Sequence, residues 1–83
     1  MTTTNRTLER LMDARTQAAN GEARRLRQAS GLSLSETAEE VGLAGLGGPG
    51  TVWRWETGKR RPRGQPAVRY AILLEQLRAR EAQ

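Results

Sequence analysis

Residues 51–66 read T-V-W-R-W-E-T-G-K-R-R-P-R-G-Q-P, from Thr51 to Pro66. The first part has the spacing of a short helix ended by Gly58, and the second is a basic turn. Between Arg54 and Arg69 stand six basic residues (Arg54, Lys59, Arg60, Arg61, Arg63, Arg69) and one acid, Glu56. That surplus of five equals the formal net charge of the whole chain, so charges elsewhere cancel. Positive charge gathered at the end of one short helix suits a surface that neutralises backbone phosphates and releases their counterions.

Outside this stretch the composition mainly excludes. A chain of 83 residues holds one domain with a small core. It has no cysteine, hence no disulfide framework or thiolate chemistry, and no histidine, the commonest metal ligand and general base. No metal site, cofactor or small-molecule substrate is expected. No apolar run is long enough to cross a bilayer, and the N-terminus lacks a basic-then-apolar signal pattern, so a soluble cytoplasmic protein is expected. A sequence pI near 11.3 favours polyanion partners.

Working outward from Thr51, the preceding Leu43-Ala44-Gly45-Leu46-Gly47-Gly48-Pro49-Gly50 is too rich in glycine to sustain a helix interior and reads as a loop. Pro49 suits the first turn of the helix that follows, where its missing amide hydrogen would have had no partner. In that helix Val52, Trp55 and Glu56 share one face, whereas Trp53 and Arg54 point elsewhere. Upstream, Ser33 and Glu36 have the spacing of a capping box opening a helix from Leu34 to Val41, with Leu34, Thr37, Ala38 and Val41 inward and Gly42 at its end.

A helix over Glu22 to Ala29 offers Ala23, Leu26 and Ala29 inward and stops at Gly31. Residues 1–6 read as a flexible tail and 7–83 as one domain. From Thr7, a candidate cap, the positions Leu8, Leu11, Met12, Arg15, Ala18 and Ala19 form a stripe, with Asn20-Gly21 as a candidate break. Downstream, Pro66 opens a last helix whose stripe is Ala67, Tyr70, Ala71, Leu74 and Leu77; Val68, Ile72 and Leu73 exceed what one small core needs. The expected fold is all-α, with four or five short helices.

Arg27, Gly31-Leu32-Ser33, Ala38, Gly42, Thr51-Val52 and Trp55-Glu56-Thr57-Gly58-Lys59-Arg60-Arg61-Pro62 together resemble the phage Cro/repressor-type helix-turn-helix family, also called the XRE family, over residues 21–77. The resemblance implies that the helix after Ser33 braces the domain on the DNA backbone and that the helix holding Val52 enters the major groove. It also implies an ion pair between Arg27 and Glu56. The turn after Gly42 is enlarged relative to the family. Gly48, Pro49 and Gly50 occupy positions that commonly carry base-reading side chains, and Leu34 stands where many relatives have glutamine. Base contacts are therefore expected from fewer residues: Gly50, Thr51, Trp53 and Arg54.

Each of these has a simpler reading. Arg54 reaches a guanine from the outer face, or is merely solvated. Thr51 touches a thymine methyl or phosphate, or caps its own turn. Trp53 packs on the sugar-phosphate backbone, or covers the glycine loop. Ser33, Thr57, Lys59, Arg60, Arg61 and Arg63 are the expected phosphate contacts, against the alternative that the basic run only solubilises. Pro62-Arg63-Gly64-Gln65-Pro66 is similar to an AT-hook core with Gln65 replacing an arginine, and equally suits a turn before the last helix. Glu39 and Glu40 diverge by about 100° on a helix and make no catalytic pair, and Gly47-Gly48-Pro49-Gly50 lacks the lysine of a phosphate loop, so no enzyme is expected.

These readings converge on a DNA-binding transcriptional regulator, either a small Cro-like repressor of a phage or prophage or an antitoxin-type regulator. It would act on the nucleoid as a homodimer through Val68, Ile72 and Leu73 or the stripe from Leu8 to Ala19. The alternative is an interaction module that presents Trp53 and Leu46 to a host protein.

Overall fold

Ser33 and Glu36 exchange both hydrogen bonds of the capping box. The Glu36 amide donates to Ser33 Oγ at 2.9 Å and the Ser33 amide to Glu36 Oε1 at 2.9 Å. The helix they start is one of five in the computed structural model, which describes residues 5–45 and 47–83. In chain order these are α1 (Asn5–Ala19), α2 (Glu22–Ala29), α3 (Leu34–Glu40), α4 (Gly48–Glu56) and α5 (Gly64–Glu81). The fold is all-α, with no strand among the described residues. None of the described helices is long and apolar enough to cross a membrane.

Helix ends follow the glycines. After α4 the Lys59 amide bonds the Arg54 carbonyl at 2.9 Å and the Gly58 amide bonds that of Trp55 at 3.2 Å, a Schellman closure. Gly58 enters the left-handed region at φ +74°, where a β-carbon would be strained. Helices α2 and α3 end in the same bond pattern, through Leu32 to Arg27 and Leu43 to Ala38. α1 and α2 are separate helices, broken at Gly21, with Asn20 Oδ1 accepting the first amide of α2 from Glu22 at 2.9 Å.

α5 packs on α1, α2 and α3, and α3 packs chiefly on α4. The core joins Leu26 of α2 and Val41 beyond α3 to Trp55 of α4 and to Tyr70, Leu74 and Leu77 of α5. The Trp55 and Tyr70 rings lie 4.8 Å apart at 47°, a tilted aromatic contact. Tyr70 Oη is buried with no hydrogen-bond partner among the described residues. Burial pushes its phenol pKa up, and the nearby Glu56 carboxylate adds to the effect.

The structure corrects several expectations. α1 starts at Asn5, so Thr7 lies inside it rather than capping it, and the expected tail is helical at residues 5–6; residues 1–4 lie outside the described residues. Its inner face is rotated: Ala14 and Ala18 are buried while Leu8, Met12 and Ala19 are exposed. Alanines admit the closer helix approach that a leucine face would block. Ala29 faces solvent. α5 begins two residues before Pro66, which fits inside the first turn. Leu73 is buried, leaving only Ile72 and half-buried Val68 of that proposed dimer surface open.

Candidate nucleic-acid interface

α4 is seated by close approach at its start. Gly48 is buried, and a β-carbon there would overlap the Leu43 carbonyl oxygen and lie 3.0 Å from Ala38 Cβ. Only glycine lets the start of α4 run this close to α3 and to the Leu43 carbonyl. Pro49 occupies the first turn, Val52, Trp55 and Glu56 face inward and are buried, and Trp53 and Arg54 face outward.

The inner face is locked by charge. Arg27 donates from Nε to Glu56 Oε2 at 2.6 Å and from Nη2 to Oε1 at 3.1 Å, so the ion pair implied by the resemblance is present and is bidentate. Its Nη1 donates to the Leu32 carbonyl at 2.8 Å, tying the turn after α2 into the same assembly. The Glu56 side chain is 1% exposed and that of Arg27 12%, so neither charge has much recourse to water.

The outer face is open. Helical side chains lean toward the helix start, and Arg54 does so across Gly50: a methyl added at Gly50 would sit 3.5 Å from Arg54 Nη1. The guanidinium thus lies over the first turn of α4. Trp53 is 45% exposed, and Lys59, turned back by the Schellman closure, stands with Nζ 6.0 Å from its ring centroid.

Two threonine hydroxyls bond their own helix, for Thr51 the simpler of its two readings. Thr51 Oγ1 donates to the Gly47 carbonyl at 2.9 Å and Thr57 Oγ1 to that of Trp53 at 2.9 Å. A threonine has one hydroxyl proton, and in both residues it is directed at a carbonyl of the preceding turn rather than outward. Ser33 differs, because its Oγ accepts the Glu36 amide and its own proton stays available.

The basic run divides. Lys59 turns to the Trp53 side, whereas Arg60, Arg61 and Arg63 line a concavity with Arg15 of α1. Arg69 leaves the group altogether: it crosses Gly42, where an added methyl would lie 2.7 Å from its Nη1, at the carbonyl end of α3. The segment resembling an AT-hook is not an extended strand, since Pro62 is fully buried and Gly64 to Pro66 form the first turn of α5. Leu46, half of the alternative apolar patch, lies outside the described residues.

Sequence reasoning missed Arg15, whose Nε donates to the Pro62 carbonyl at 2.8 Å. A charged residue within an apolar helical stripe was the available signal. Comparison with known protein families, with curated proteins and with solved structures finds no match.

Proposed function

We propose that this chain is a double-stranded DNA-binding transcriptional regulator of the Cro-like repressor kind, acting in the cytoplasm by docking α4 in the major groove and occluding a promoter. One observation carries the reading: α4 is fixed inside by Arg27–Glu56 and presents Arg54 outward, across Gly50, with no carboxylate partner among the described residues. Trp53 suits packing on deoxyribose, and Lys59 suits a phosphate beside it. No catalytic group, cofactor or small substrate is assigned. A domain this small needs a second copy for tight operator binding, and Leu8 and Met12, both exposed and one turn apart on α1, are the most accessible apolar pair for it.

Selection of bound fragments from a random duplex pool tests the reading. The expected outcome is enrichment of an inverted repeat, bound with an affinity that falls with salt at a slope near −0.9 per phosphate neutralised. A pool that stays random, with no duplex retained in dilute buffer, would overturn it. Light scattering at tens of micromolar that gives only the monomer mass, with and without operator, removes the dimer.

The exposure of Trp53 favours a second reading, capture of a host protein through an apolar patch. That partner would bind with little response to salt and be lost in Trp53→Ala, whereas groove binding depends on Arg54.

A further inference from the structure

Arg15, Arg60, Arg61 and Arg63 line one concavity between α1 and the turn joining α4 to α5. Arginines on a convex surface diverge into water. These four instead stand beside a cleft of about 430 Å³ that Arg15, Arg60 and Arg61 share with Met12, Ala19 and Pro62. No carboxylate lines the concavity, and none of the four arginines makes an ion pair among the described residues.

One member is oriented in advance. Arg15 spends its Nε–H on the Pro62 carbonyl at 2.8 Å, and Pro62 is itself fully buried. That bond fixes the guanidinium plane and leaves its two terminal nitrogens for a ligand. The arrangement suits a tetrahedral oxyanion, because planar guanidinium forks match phosphoryl oxygens two at a time. Without an anion, four like charges repel one another across the concavity.

We propose that this hollow is a phosphoryl-binding site, distinct from the outward face of α4 and testable without duplex. Its ligand is a phosphoryl group, supplied either by a free oligophosphate or by a backbone phosphate flanking a docked duplex.

The test uses the full chain and tripolyphosphate, with sodium chloride at equal ionic strength as the reference. Tripolyphosphate raises the thermal midpoint saturably and shifts the Arg15 Nε–H resonance. Arg15→Gln and, separately, Arg61→Gln weaken the apparent affinity by about tenfold. Arg61 is exposed, so its variant reports even if Arg15→Gln folds poorly. Arg24→Gln, which removes an exposed arginine of α2 outside the hollow, leaves the response unchanged. Equal losses in Arg24→Gln, or a wild-type response in both hollow variants, would overturn the proposal.

Duplex binding then names the source. A salt slope shallower by about 0.9 in Arg61→Gln assigns a backbone phosphate, and an unchanged slope assigns free oligophosphate; both outcomes uphold the hollow. Arg54→Ala keeps the tripolyphosphate response whatever it does to duplex binding, so the two readings fail separately.

Discussion

Arginines do two different jobs in two regions of this molecule. On one side, Arg10 meets Glu75 at 3.0 Å, Arg25 meets Glu81 at 2.7 Å and Arg78 meets Glu22 at 3.5 Å, linking α5 to α1 and α2, while Arg25 also meets Glu22 at 2.6 Å within α2. Arg27 and Glu56 extend this pairing into the interior. On the other side, Arg54, Lys59, Arg60, Arg61 and Arg63 have no carboxylate partner among the described residues. The formal charge of +5 is therefore the residue of local segregation. Charge that is closed by a partner stabilises the fold, and the charge left open around α4 and the turn after it is what the proposed anion contacts would use.

The largest effect should come from opening the deepest pair. Arg27→Ala leaves Glu56 buried and uncompensated, which costs about 3–5 kcal/mol in denaturant unfolding. Replacing both partners, as in Arg27→Met with Glu56→Leu, should recover most of that loss, since two matched apolar groups carry no desolvation penalty. A double variant as unstable as the single one would mean that the Arg27 bond to Leu32, rather than the pair, holds this corner together.

The open side is held by shape, and Gly48 tests this. Gly48→Ala forces α4 away from the Leu43 carbonyl and should cost about 1–3 kcal/mol, the usual range for overpacking. Gly50→Ala, only two residues along, adds a methyl at ordinary contact distance and should leave the unfolding midpoint unchanged or raised. If both variants unfold alike, the close approach at Gly48 is not what seats α4.

Much of the closed side could be read from the chain because its determinants are local. The Ser33–Glu36 box, the glycine stops and the α5 stripe all follow from spacings of three or four residues, and the Arg27–Glu56 pair followed from family resemblance. What escaped depends on neighbours distant in sequence. Arg15 bonds a carbonyl 47 positions away, and Arg69 chose α3 over the basic turn. The rotation of α1, with Ala14 and Ala18 inside and Leu8 and Met12 outside, was set by how closely its partners approach. For Thr51 the sequence offered local bonding as one of two readings, whereas for Thr57 nothing in composition reveals that its proton bonds the preceding helical turn.

For the open side the expected effect is on binding alone. Arg54→Ala should weaken a selected duplex by about 1–3 kcal/mol, the worth of one bidentate base contact, with specificity relaxed at one position. Its unfolding midpoint should stay unchanged, because Arg54 is exposed and makes no ion pair among the described residues. A variant that lost stability as well as binding would erase the distinction between the two sides.

The smallest effect concerns the exposed part of the closed side, and its signature is pH. The hydrogen bonds from Arg25 hold the Glu22 and Glu81 carboxyls below their ordinary value of 4.5. A carboxyl whose pKa is lower in the folded state than in the unfolded chain stabilises the fold above the unfolded value and loses that contribution as pH falls through the folded one. Wild type should therefore exceed Arg25→Gln in stability at neutral pH, and the gap should close as acid protonates both glutamates. Because these side chains are solvent-exposed, raised salt should shrink the neutral-pH gap too. A gap unchanged by either acid or salt would mean that Arg25 acts through the packing of its aliphatic stem between α2 and α5, and that the charge closure seen there is incidental.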